Sequence, residues 1–226
     1  MKITFYGHSC FLIELNNKKL ITDPFISDNP LAKKIDVDKI KTDYVLISHG
    51  HKDHIADALQ IAKNNNATVI SNFEIINWLS KKGVKRTFSM NIGGKHIFDF
   101  GTLTFLYASH SSILPDGTYG GNPTGFLIES QENNFYFAGD TGLNYDMKLI
   151  GEYKNINFAF LPIGGTYTMD TDDAIIASGF IKCNKIIGMH YNTFSLINID
   201  KKSAIEKFKQ YGKELILMNI GETVKF

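Results

Sequence analysis

Residues Tyr44-Val45-Leu46-Ile47-Ser48-His49-Gly50-His51-Lys52-Asp53-His54 place three imidazoles and a carboxylate directly behind a short apolar run. A run of that length reads as a buried strand, so the polar residues fall at its C-terminal end. Alternate side chains of an extended chain share a face, which puts His49 and His51 side by side. A turn after them can aim Asp53 and His54 elsewhere. This pattern suits two divalent cations held close together.

Working outward, Lys2 to Gly7, Cys10 to Leu15 and Lys19 to Asp23 read as three strands of a meander, with Asn16-Asn17 in a turn that favours positive φ. Asp23-Pro24 ends the third strand, and Phe25 to Lys41 reads as a loop with one short helix. Behind the histidine cluster, Ile55, Ala58, Leu59, Ile61 and Ala62 repeat at helical spacing and stop at Asn64-Asn65-Asn66. A strand over Ala67 to Ser71 and a helix over Phe73 to Lys82, closed by Gly83, follow. From Gly93-Gly94 a second meander begins, with strands at Lys95 to Phe100, Leu103 to Ala108, Thr124 to Ser130 and Asn134 to Ala138. Helices return at Thr171 to Lys182 and Asp200 to Tyr211, accompanied by strands Ile186 to Met189 and Leu215 to Met218. Each half thus runs from meander to alternating strands and helices. The simplest layered solution is an α/β domain over residues 1–226: a four-layer αββα sandwich of two mixed sheets with helices on both outer faces.

The 226 residues are 43% hydrophobic with a formal net charge of +1, enough apolar content for a buried core and no electrostatic footprint for nucleic acid or a membrane surface. Met1 to Tyr6 alternate apolar and polar residues instead of forming an export signal, and no run approaches the ~20 apolar residues of a spanning helix. Cys10 and Cys183 form no spaced framework. A cytoplasmic protein with a small-molecule partner is expected, without nucleic acid or membrane partners; a homo-oligomer stays open.

Three further polar residues also end apolar runs: His110 behind Leu103 to Ser109, Asp140 behind Phe135 to Gly139, and His190 behind Lys185 to Met189. Sites gather at such strand ends, where loops converge on a rigid scaffold. Taken in order, Asp23, the His49-Gly50-His51-Lys52-Asp53-His54 signature, His110, Asp140 and His190 resemble the metallo-β-lactamase fold superfamily of metal-dependent hydrolases. Gly7-His8-Ser9-Cys10-Phe11, Phe137-Ala138-Gly139-Asp140-Thr141-Gly142 and His190-Tyr191-Asn192-Thr193-Phe194 resemble, within it, the small bacterial and archaeal metal-dependent hydrolases related to ascorbate-phosphate lactonase, a family with no agreed substrate.

The resemblance implies one metal on His49, His51 and His110, a second on Asp53, His54 and His190, and Asp140 bridging. Imidazole and carboxylate donors suit two Zn2+ ions, and also Mn2+ or Fe2+. A shared water with its pKa brought near 7 would then attack as a bridging hydroxide. The cationic centre favours anionic groups and oxyanions, so the expected substrate is a small ester, lactone or amide, anionic or neutral. Phosphodiester hydrolysis and a non-catalytic metal-binding role are the alternatives. A flavodiiron-type redox role is disfavoured, because that branch replaces histidine with acid in the central motif.

Asp53 is read first as a ligand and also as the group that exchanges a proton with the leaving group. Asp23 either orients a histidine through its second ring nitrogen or caps the turn before Pro24. His8 is read either as a donor or substrate-positioning group beside the metals or as a satisfied turn histidine. Cys10 reads as core and His96 as structural. Ser111 to Gly125, rich in turn formers, is either a substrate lid or a surface connection. Gly164 to Thr168 falls in the site region of the resembling proteins.

Overall fold

The computed structural model describes residues 1–226. The first half contains strands β1 (Lys2–Gly7), β2 (Cys10–Leu15), β3 (Lys18–Thr22) and β4 (Tyr44–Leu46). Helices α1 (Lys52–Ile55) and α2 (Ala58–Asn65), strand β5 (Thr68–Asn72), helix α3 (Phe73–Lys81) and strand β6 (Thr87–Met90) complete it. The second half runs β7 (Lys95–Phe98), β8 (Gly101–Tyr107), β9 (Thr124–Glu129), β10 (Asn134–Phe137), α4 (Asp146–Tyr153) and β11 (Phe158–Pro162). It ends with α5 (Thr171–Phe180), β12 (Lys185–Met189), α6 (Lys201–Gln210), β13 (Glu214–Ile216) and β14 (Thr223–Lys225).

Two seven-stranded sheets result, ordered β14-β1-β2-β3-β4-β5-β6 and β13-β12-β11-β10-β9-β8-β7. Each is antiparallel where the chain meanders and parallel where helices intervene. The strand β2 explains the layering. Phe11, Ile13 and Leu15 enter the core between the sheets, whereas Cys10 and Leu12 face the layer under α2 and α3. That alternation follows from side chains projecting to opposite faces of a strand. Phe11 meets Phe160 of the opposite sheet at 4.7 Å between ring centroids, and each such buried ring contributes ~2–3 kcal/mol of transfer free energy. Helices α4, α5 and α6 lie on the second sheet, so the expected αββα sandwich forms.

Several elements differ from the sequence expectation. The helix read through Ile55 to Ala62 is split in two, with Asp57 between the pieces. The Asp57 carboxylate accepts the amide protons of Ile26 at 2.6 Å and Ser27 at 3.0 Å and the Ser27 hydroxyl proton, which ties down the segment after Asp23. Strand β6 escaped the pattern because Thr87 to Met90 is only half-buried and shows no alternation. Helix α4 escaped it because Gly151, a poor helix former, sits inside it. That glycine is needed: a Cβ there would lie 2.2 Å from the Phe180 carbonyl of α5. Strand β14 is three residues long and owes its existence to pairing with β1 across the whole chain. No helix is long and apolar enough to cross a membrane.

The stretch Ser111 to Gly125 is anchored along much of its length. Leu114 is buried in the outer core, the Asn72 amide donates to the carbonyls of Gly120 and Asn122, and the Trp78 indole donates to Asp116. Of the two readings, the surface connection fits this pinning better than a free lid.

Candidate metal centre

Every polar residue singled out at a strand end arrives at one edge of the sandwich. The first sheet delivers His8 after β1, Asp23 after β3 and the His49 to His54 cluster after β4; the second delivers His110, Asp140 and His190 after β8, β10 and β12. Two main-chain hydrogen bonds stitch the sheets together here, from the His190 amide to the His8 carbonyl (2.9 Å) and from the Thr124 amide to the Ser48 carbonyl (3.0 Å). His8, Asp23 and His190 all have positive φ, at 58°, 38° and 54°. This left-handed region costs a non-glycine residue ~1–2 kcal/mol, and its use by three neighbouring functional candidates marks a backbone held by its surroundings. Gly164 is required beside them, since a Cβ would stand 2.2 Å from the His190 carbonyl.

Asp140 is the hub. Its Oδ2 lies 2.9 Å from His190 Nε2, 3.2 Å from His54 Nε2, 3.6 Å from His110 Nε2 and 3.9 Å from His49 Nε2. On one side, His49, His51 and His110 turn ring nitrogens toward a common point, with His49 Nε2 and His51 Nδ1 3.0 Å apart. On the other, His54 and His190 converge with Asp53, whose Oδ2 is 3.8 and 3.9 Å from their Nε2 atoms. Solvent reaches the cluster through Asp53, His51 and His110, which are partly exposed. A cavity of about 530 Å³ lies elsewhere, between α4 and the outer face of β8 and β9.

The electrostatics favour a cation. Burial pushes His49 well below the ordinary imidazole range, with His54 adding to the effect, and lowers His51 and His110 as well. Neutral imidazoles present the lone pairs a metal requires. Burial alone would lower His54 too, but Asp140 and Asp53 raise it well above its usual value. Burial would raise Asp140 and Asp53; the surrounding histidines, His190 and His54 for the first and His54 and His8 for the second, hold both well below the carboxylate range. A positive charge is therefore favoured where His54, Asp53 and Asp140 meet. Two buried atoms at that point, His54 Nε2 and Asp140 Oδ1, have no hydrogen-bond partner; His54 Nε2 is near Asp140 Oδ2 but not aligned with it. Buried polar atoms are rarely left in that condition, and a divalent cation satisfies both. The nitrogen and oxygen donors, without thiolate, fit Zn2+, Mn2+ or Fe2+.

Asp23 is grouped with His49 and His54 as a third set of donors, but both of its oxygens are already engaged in hydrogen bonds. Ser48 donates to it from backbone and hydroxyl at 2.7 and 2.6 Å, and His54 Nδ1 is 2.9 Å away. It orients His54, and the turn-capping alternative is not needed to explain it. Asp23→Asn is expected to weaken metal binding about 10–100-fold, the usual effect of losing such a partner, measured by competition with a chromogenic chelator; wild-type affinity would return Asp23 to a turn-capping role.

His8, for which spacing alone left two readings, lies inside the centre. It is buried, with Nε2 3.1 Å from Asp53 Oδ2, Nδ1 2.9 Å from Thr193 Oγ1 and its ring 4.2 Å from that of His190. Burial and the neighbouring His190 lower its pKa to about 4, against the pull of Asp53, so the ring is neutral at pH 7. A carboxylate has no proton to give. The single N–H is therefore on Nε2 and donates to Asp53, while the Thr193 hydroxyl donates to Nδ1. Thr193, Ser48 and Asp57 escaped the sequence reading; Thr193 is 185 residues from His8, and no local spacing connects such a pair. Cys10 is core and His96 packs with Phe88 and Phe98 and belongs to none of the donor groups, as expected.

Two mixed sheets that bring histidine and aspartate donors to one edge of an αββα sandwich define a metal-dependent hydrolase of the metallo-β-lactamase fold. The model of the beta-lactamase superfamily domain matches residues 2–190, and the chain belongs to that superfamily. It is 52% identical to a UPF0173 metal-dependent hydrolase of Flavobacterium johnsoniae over the whole of both chains, and 49% identical to one of Christiangramia forsetii, again over the whole of both. Igni18, a metallo hydrolase of the archaeon Ignicoccus hospitalis, superposes with a TM-score of 0.90 at 38% identity, covering 100% of this chain and 97% of that one.

Proposed function

We propose that the protein is a binuclear hydrolase acting on a carboxyl ester, lactone or amide of a small molecule. The observation that carries this reading is the single Asp140 oxygen within 3.9 Å of four histidine nitrogens, with a triad of imidazoles on one side and Asp53 on the other. One metal would be held by His49 Nε2, His51 Nδ1 and His110 Nε2, a second by Asp53, His54 Nε2 and His190 Nε2, with Asp140 shared; Zn2+ is the first choice. Two such ions would supply Lewis acidity and lower the pKa of a shared water toward 7.

The chain's own groups do the rest. Asp23 and Ser48 lock the tautomer and orientation of His54, so its Nε2 faces the centre. His8 holds Asp53 through one oxygen and is itself fixed by Thr193. Asp53 is the more solvent-accessible carboxylate, with 28% of its side chain exposed against 2% for Asp140. It is thus the one able to pass a proton to a departing alcohol or amine, although its depressed pKa makes it a modest base. The free buried thiols of Cys10 and Cys183 fit a reducing cytoplasm, and the near-neutral charge supports a small molecule rather than nucleic acid as partner.

Metal analysis of the reconstituted protein together with a panel of chromogenic esters, lactones, amides and phosphodiesters tests the proposal. Two metals per chain and turnover of the carboxyl compounds are expected. A fully metallated protein inert toward every carboxyl compound would overturn the substrate class, and one metal at saturation would overturn the binuclear mechanism.

A further inference from the structure

The loops around the centre carry a second message, about the part of the substrate that does not react. Segments 109–123, 139–145, 163–170 and 190–200, which follow β8, β10, β11 and β12, contain no lysine or arginine. In 48–57 the only cation is Lys52, paired with Asp28 at 2.7 Å. The helix start behind the 163–170 loop offers no anion site either: Asp170 caps α5, and Asp172 and Asp173 occupy its first turn. Lys33 and Lys34, farther along the chain, belong to a turn closed by the Ile35 amide on the Ala32 carbonyl.

Apolar surface stands where cations are missing. Phe194 is 39% exposed, packs edge-on against His8 at 5.6 Å and is backed by the buried Phe25 at 6.2 Å. Leu196 and Tyr167 are more than half-exposed beside it, their loops joined by the Thr166 hydroxyl on the Leu196 carbonyl. On the opposite flank, Ile113 and Tyr119 bridge one another, both exposed. Their loop is held against the His49-Gly50-His51 turn by the Gly50 amide on Ser112 Oγ, with Ser111 Oγ 3.4 Å from His51 Nε2.

We infer that the non-reacting part of the substrate is an uncharged apolar or aryl group, seated against Phe194, Leu196 and Tyr167. This deepens the proposed function and rests on it. The cationic centre attracts the reacting carbonyl and its oxyanion. Among the residues of these loops a second anionic group would lose water and find no guanidinium or ammonium partner, a net cost; Lys201, the first cation beyond them, lies over the Tyr191 ring at 5.5 Å. The anionic substrate suggested by the centre's charge is thus disfavoured by the rim. Apolar tails gain by covering exposed aromatic surface.

The test uses three probes that share one metal-binding head: acetohydroxamic acid, 3-phenylpropanohydroxamic acid and its para-carboxylate analogue. Their affinities for the zinc-loaded protein are measured by calorimetry. The phenyl probe is expected to bind about tenfold tighter than either of the others. Phe194→Ala should shrink the phenyl-to-acetyl ratio about fivefold, with Phe194→Leu retaining most of it, and Leu196→Lys should shift preference toward the carboxylate tail. A carboxylate tail that binds wild type as tightly as the neutral one overturns the inference. So does a ratio unmoved by both Phe194→Ala and Tyr167→Ala, or variants that change only the oligomeric state, which would make the rim an interface. Because the readout is affinity, a protein that shows the tail preference but hydrolyses no carboxyl compound counts against the proposed reaction and not against the rim.

Discussion

Asp140→Ala protein is expected to retain less metal than wild type after full reconstitution and to lose about 10⁴-fold in kcat/KM toward any carboxyl substrate. One oxygen of Asp140 faces four imidazole nitrogens at 2.9–3.9 Å, so its removal takes a shared anion from both halves of the centre at once. A loss of ~5 kcal/mol of transition-state stabilisation corresponds to roughly that factor. Asp140→Asn keeps the shape and a weak oxygen donor, and should fall between the two. Metal content by mass spectrometry and steady-state kinetics read the outcome, with a thermal melt to show that the variants fold. Wild-type metal content and rate in Asp140→Ala would remove this residue from the centre.

The second large effect concerns stability. The donors come from both sheets, the His49 to His54 cluster after β4 on one and His110, Asp140 and His190 on the other, so a metal held between them would cross-link the sandwich. A ligand present at a hundredfold over its Kd stabilises the native state by ~2.7 kcal/mol. At this chain length each kcal/mol moves Tm by ~2–4 °C. Stripping the metal with a chelator should therefore lower Tm by about 5–10 °C and re-addition of zinc should restore it, while Asp140→Ala responds less. A melting curve indifferent to chelator would show that the native state gains nothing from metal at this edge.

Much of this molecule could be read from its residues because strands that end in polar groups announce themselves. The runs before His49, Asp140 and His190 are continuous and apolar, and every one is a strand delivering its polar residue to the same edge. What stayed hidden depends on tertiary partners. Strand β14 has no pattern of its own and forms by pairing with β1. The break between α1 and α2 reflects the engagement of Asp57 by the amides of Ile26 and Ser27, thirty residues away in sequence. His8 is the sharpest case: its role depends on Asp53 and on Thr193, which come from opposite sheets. Periodicity carries no information about such pairings.

The positive φ of His8, Asp23 and His190 has an evolutionary consequence. Selection for foldability alone would install glycine or asparagine at left-handed positions, as it has at Asn16, Asn17 and Asn66 on the same chain. Thr166 and Lys182 occupy the region too, but of the residues there other than glycine and asparagine, His8, Asp23 and His190 are the ones whose side chains belong to the donor groups, and those side chains return something that stability does not measure. A library of this gene selected for thermostability without activity should accumulate replacements at these three positions, whereas one selected for turnover should keep them.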